Sequence, residues 1–144
     1  MRYSARFALV GAGVAGLSFA ATTANATPAG PGVSGTVITE TTVGNTHYVL
    51  REITIPPQQS TGWHFHEGRL FGVVKQGTLS HFDASCKSDG VYPAGSSIVE
   101  PSGANHVHIG RNLNKVPVVL DVLYSLPVGA PLSDDAPNPG CDFQ

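Results

Sequence analysis

The sequence predicts an all-β domain, a sandwich or barrel of short strands. Three observations carry this. The chain has 144 residues, enough for one domain, and combines 17 Gly and 11 Pro with only 12% charged residues, which suits strands joined by many turns. From Thr36 onward, runs rich in β-branched and aromatic residues alternate with Gly, Pro, Asn and Asp clusters. No window of helical length shows an apolar period of 3.6 residues.

The elements follow in order. "MRYSARFALVGAGVAGLSFAATTANA" has Arg2 and Arg6, an apolar run from Phe7 to Ala21, and Ala24-Asn25-Ala26 as a small-x-small cleavage pattern. Residues 1–26 therefore read as a secretory signal peptide, and the mature chain as secreted or held in the cell envelope, with no membrane contact after cleavage. "GAGVAG" within it fits a dinucleotide-binding pattern but lacks the preceding strand and the following acidic residue. Residues 27–34 read as a flexible leader. "TVITETT" and "HYVLREITI" are strands joined at Gly44-Asn45. "IPPQQS" interrupts pairing, because prolines cannot donate to a ladder. "GWHFHE", "RLFGVVKQ", "GTLSHFDA", "SSIVEP", "HVHIG" and "VPVVLDVLYSL" follow, with turns expected at Glu67-Gly68, Gln76-Gly77, Asp89-Gly90, Pro93-Ala94-Gly95, Pro101-Ser102-Gly103 and Asn112-Leu113-Asn114. The barrel is thus expected over residues 35–127, with the Pro- and Asp-rich residues 128–144 as an outer tail. Net charge is -2 and no block of like charge occurs, which argues against nucleic acid as a partner. Two cysteines in an exported chain predict a Cys86–Cys141 bridge that fastens the tail.

Histidine carries the chemistry. His64 and His66 share one face of a strand, about 7 Å apart, so both rings can converge on one ion. Trp63 and Phe65 share the other face. "NHVHIGRN" supplies a second pair, His106 and His108, with the same spacing. His47 and His81 read as hydrogen-bonded structural residues. Trp63, Phe65, Phe71 and Tyr124 read as core or inter-sheet packing, and Arg69 and Arg111 as solvated. No nucleophile-elbow pattern surrounds Ser60, Ser96 or Ser97.

The segment "GSSIVEPSGANH", Gly95 to His106, fits G-x5-P-x-G-x2-H, and His64, His66 and Gly77 fit part of G-x5-H-x-H-x3-E-x6-G. With the late cysteine, the chain resembles the small exported bacterial single-domain cupins. That resemblance implies a jelly-roll barrel with histidines facing its interior and a divalent transition metal, Fe, Mn, Ni, Cu or Zn, held by three histidines and a glutamate. The glutamate position is Leu70, and the opening glycine position is Gln58. Glu67 follows His66 directly and should face away. The turn before His106 selects that residue as third histidine, while Asn112, four residues after His108, selects His108. The candidate metal set is therefore His64, His66, His106 and His108.

Two functions fit these residues. One is a metal-dependent enzyme, of dioxygenase type or an isomerase. The other is a non-catalytic binder of a small ligand or metal. A third reading, a structural module, makes no use of the histidines. The expected partner is a small molecule, with a second copy of the chain, as a homodimer, left open. A general acid or base near the metal would favour turnover; an entirely apolar lining would favour binding.

Overall fold

The computed structural model describes residues 25–144; the signal-peptide reading falls almost wholly outside them. The strands are β1 (Ser34–Val43), β2 (Thr46–Ile55), β3 (His64–Phe65), β4 (Arg69–Gln76), β5 (Thr78–Asp83), β6 (Ser88–Pro93), β7 (Ser97–Glu100), β8 (His108–Arg111), β9 (Val118–Pro127) and β10 (Asp134–Asp135). They form two five-stranded antiparallel sheets, ordered β1-β2-β9-β4-β7 and β10-β3-β8-β5-β6. As expected from the sequence, the described chain is all-β.

Alternation decides what fills the interior. On β2, Val49, Arg51, Ile53 and Ile55 share one face; on β9, Leu120, Val122, Tyr124 and Leu126 do. With Leu70, Val74, Leu79, Ile98 and Val118, most of these residues form the main core between the sheets. The opposite phase points outward. Phe71, expected in the core, is 47% exposed because it alternates with the buried Leu70 on β4.

A second, smaller core lies on the outer face of the other sheet. Trp63 and Ile109 are fully buried there, with Ala136 and the partly buried Phe65, Phe82 and Phe143. The Trp63 and Phe143 rings stack with centroids 5.9 Å apart, and the Arg111 guanidinium lies 4.5 Å over the Phe143 ring. Arg111 is therefore a stacking partner and not a freely solvated charge. Arg69 is exposed, as expected.

The two ends of the described chain are more integrated than their composition suggests. Thr27 is buried, and its Oγ1 accepts the Trp63 amide at 2.7 Å. Residues 27–34 are thus not a free leader: Gly30 N also donates to Ser60 O. The tail supplies β10, which pairs with β3, and Ala136 N donates to Trp63 O at 2.8 Å. Burial of Ala136 and Phe143, in a stretch dominated by Pro and Asp, docks it.

Cys86 and Cys141 form a disulfide with Cα atoms 5.5 Å apart. Cys86 sits in the true β5–β6 turn at φ +64, where Asp83 Oδ1 accepts from Ser85 N. The turn expected at Asp89-Gly90 lies instead within β6. The bridge closes a loop of 55 residues, which the chain-entropy model values at about 4 kcal/mol. Reduction is expected to lower the denaturant midpoint clearly and, because the tail also contacts a site histidine (below), to weaken metal binding. Unfolding curves and metal titrations with and without reductant test both; identical curves would show the bridge to be idle.

Candidate metal centre

His64 stands on β3 directly opposite His108 on β8. His66 follows β3, and Gly103 N donates to its carbonyl at 2.8 Å, tying it to the loop after β7. Glu100 ends β7, directly opposite Leu70 on β4. One ligand atom from each of His64, His66, Glu100 and His108 lies within 4.8 Å of all the others. The three imidazoles are buried, and the Glu100 side chain is 15% exposed.

The tautomers follow from the backbone. His64 Nδ1 donates to Gly62 O at 2.9 Å, His66 Nδ1 to Leu132 O at 2.7 Å, and His108 Nδ1 to His106 O at 2.7 Å. A carbonyl only accepts, so each Nδ1 carries the proton. Each neutral ring then presents an Nε2 lone pair to the cluster. The carbonyl partnered with His64 belongs to a glycine at φ +73, where a side chain would also collide with the Thr27 and Pro28 carbonyls. Glycine is thus needed before Trp63 for the local turn that orients His64.

His66 Nε2 and His108 Nε2 approach Glu100 Oε2 at 3.1 and 3.4 Å. Neither contact has the direction of a hydrogen bond, and both nitrogens are buried without a partner. Three lone pairs facing one carboxylate form an electron-rich pocket that a cation would satisfy. Burial, with His108 and His66 beside it, lowers the His64 pKa to about 3. That ring is in the ligating, neutral form across the ordinary pH range. For Glu100, burial alone would raise the pKa, yet the carboxyl is held well below its usual range; with the Nε2 atoms of His66 and His108 unprotonated, the cation that favours its ionised form is His81.

Behind the carboxylate stands the pair His81 and Asp89. His81 Nδ1 contacts Asp89 Oδ1 at 2.6 Å, and its Nε2 lies 3.5 Å from Glu100 Oε1. Burial lowers the His81 pKa, but its contacts with Asp89 and Glu100 prevail and raise it to about 9, so the ring is an imidazolium. His81, read from the sequence as a hydrogen-bonded structural histidine, does bond Asp89, and it also places a cation behind Glu100, its Nε2 making no hydrogen bond there. His47 does pair locally, with Glu40 at 3.2 Å.

His106 is a correction to the candidate set. It is exposed and outside the cluster, with Asn105 3.3 Å from its Nε2. The expectation that it shares a face with His108 assumed one strand through both. In fact His106 N closes a turn onto Gly103 O, and β8 begins only at His108. Its carbonyl, not its ring, serves the site, by orienting His108. Asn112 is buried and donates to Ile55 O and Val116 O. Its spacing from the third histidine selects the residue that turns inward, His108.

Glu100 was missed by sequence reasoning because the motif places a glutamate at residue 70. Leu70 occupies that place and is 2% exposed in the core. The carboxylate comes from the paired position on the neighbouring strand. Its signal was present: Glu100 is in phase with the apolar Ile98 on β7, on the face that turns inward.

The site opens into a cavity of about 230 Å³, lined among others by His64, His66, Glu100, Arg51, Tyr124 and Leu120. Tyr124 packs edge-on to His66 at 5.8 Å between centroids, and burial raises its phenol pKa.

In the metal-free protein these histidines set a pH dependence with two limbs. Between pH 6.5 and about 3 the unfolded chain protonates His64 and the folded chain does not, so stability falls on acidification. Between pH 6.5 and about 9 the folded chain keeps the His81 proton that the unfolded chain has lost, so stability falls as pH rises. Urea midpoints of the chelator-treated protein should therefore peak near pH 6.5. A midpoint still climbing from pH 7 to 9 would overturn the His81 assignment.

Solved structures share this architecture. An uncharacterised Klebsiella pneumoniae subsp. pneumoniae protein with a double-stranded β-helix domain matches with TM-score 0.59 and 21% identity, covering 76% of this chain and 88% of that one. A cupin-like protein of Thermotoga maritima matches with TM-score 0.58 and 18% identity over 74% of this chain and 77% of that one. The chain folds as a single-domain cupin. A cupin domain of Bordetella pertussis aligns at 23% identity and TM-score 0.52, covering 66% of this chain and 94% of that one. No family model matches the sequence, and no curated protein does. At these identities the likeness establishes the fold, and the function of this chain rests on its own residues.

Proposed function

We propose that this cupin is a metal-dependent enzyme in which His64, His66, His108 and Glu100 hold one divalent transition metal facing a small-molecule cavity. One observation carries the reading. Every Nδ1 of the three buried rings is committed to a backbone carbonyl, so three Nε2 lone pairs and one carboxylate converge within 4.8 Å. The donor set, three imidazoles and one carboxylate, suits Mn, Fe, Ni, Cu or Zn. A divalent ion there would polarise a substrate oxygen and, if it were iron or copper, support oxidation by oxygen.

The protein's own residues do the rest. Glu100 would offset one charge of the ion, and the His81–Asp89 pair places a cation behind its carboxylate. Apolar side chains from β2 and β9 restrict water. The Tyr124 phenol keeps its proton and stands beside His66 as a donor to a substrate oxygen. This polar group in the lining favours turnover, of dioxygenase or isomerase type, over passive binding.

The test is elemental analysis of protein purified without chelator, followed by anaerobic titration with the five metals. About one equivalent is expected. Failure to take up any of them would remove the metal reading and leave a polar ligand pocket.

A further inference from the structure

Arg51 is out of place in its row. Its neighbours on the inward face of β2 are Val49, Ile53 and Ile55, yet it carries a guanidinium, a permanent cation. It forms no ion pair among the described residues. Its Nη2 donates to Gly35 O at 3.3 Å, while its Nε is buried without any partner. A buried donor left unpaired is costly, so the position calls for an acceptor.

The cavity supplies the place for one. Arg51 and Gly35 line the same cavity as His64, His66 and Glu100. Gly35 makes the room: a Cβ there would collide with Cζ, Nε and Nη2 of Arg51. With one carboxylate against a divalent ion and a guanidinium, a loaded site would carry excess positive charge.

We propose that Arg51 is the anchor for a substrate carboxylate, and that this cupin takes a short carboxylic acid whose other end, an oxygen donor, reaches the metal. The second half rests on the metal reading; the Arg51 half does not. The planar fork of one arginine matches a carboxylate in two parallel hydrogen bonds. The remaining walls are mostly apolar, including Val33, Ile53, Leu79 and Val122, and suit a short aliphatic body, with Ser34, Thr61 and Ser133 adding hydroxyls among them. At about 230 Å³ the cavity falls below the range of about 300–1,000 Å³ typical of drug-sized ligands, which restricts the acid to a few carbons.

Calorimetric titration of the zinc-loaded full chain tests this. The probes are pyruvate, lactate and succinate, with methyl pyruvate and inorganic phosphate as controls. At least one of the acids should bind the wild type, and Arg51→Met should weaken that binding by about tenfold or more. Metal content and the affinity for methyl pyruvate should stay unchanged. Gly35→Ala, which displaces the guanidinium without removing it, should weaken acid binding too, and this variant decides the matter if Arg51→Met does not fold. Equal acid affinity in the variants, binding of phosphate in place of the acids, or no acid binding by the wild type would each overturn the assignment. If the protein takes up no metal but binds an acid through Arg51, the metal reading falls and this one stands. If metal binds and Arg51 is irrelevant to the acids, the reverse holds.

Discussion

Glu100→Gln is expected to lower divalent-metal affinity by at least about 100-fold, since loss of a mere outer-shell partner typically costs about 10–100-fold. His106→Ala is expected to leave affinity within about twofold, because its ring stands outside the cluster. His81→Gln should fall between them: it keeps Glu100 in place but removes the cation behind it. Competition with a chromophoric chelator measures all three. The geometry also allows a reciprocal swap. Leu70 and Glu100 are cross-strand partners, so the double variant Leu70→Glu, Glu100→Leu returns a carboxylate to the same end of the barrel from the other strand. It should regain part of the affinity that Glu100→Leu alone loses. Wild-type affinity in Glu100→Gln would sink the four-ligand site and leave three histidines alone.

Trp63→Ala is expected to destabilise the fold by about 3–5 kcal/mol, the range for removing a large buried aromatic. Trp63 is 0% exposed and stacked on Phe143, so its loss opens the second core and undermines the tail. The consequence reaches the site. His66 Nδ1 is held by Leu132 O, and β10 of the same tail pairs with β3, which carries His64. Metal affinity should therefore fall along with stability. Trp63→Phe should be much milder, because the indole Nε1 makes no hydrogen bond that the substitution would break. Urea unfolding with and without metal measures both effects; a loss below about 1 kcal/mol in Trp63→Ala would show that the tail is not anchored there.

The amino-acid sequence by itself determined the all-β class, because alternation and turn residues are local signals. It also determined that His64 and His66 turn to one side and that the second histidine pair joins them, but it left His106 and His108 both open. Spacing two residues apart fixes the face of a strand, while the turn before His106 and the register of Asn112 select different rings. The Cys86–Cys141 pairing followed from there being two cysteines and one tail to fasten. Other features depend on which strands become neighbours, which no local pattern encodes. Glu100 replaces the expected glutamate at Leu70 only because β7 pairs with β4. His81 becomes part of the site only because β5 lies beside β8 and aims at that carboxylate. His106 drops out because a turn through Gly103 interrupts the strand that alternation assumed. The β6 strand was hidden because its Asp89-Gly90 pair reads locally as a turn, while in the sheet Asp89 marks an irregularity in pairing and holds His81. Arg51 was legible in principle, as a charge in phase with Val49, Ile53 and Ile55. Its meaning was not, because only the closed barrel shows that this face meets the histidines across one cavity and leaves a cation there without an anion.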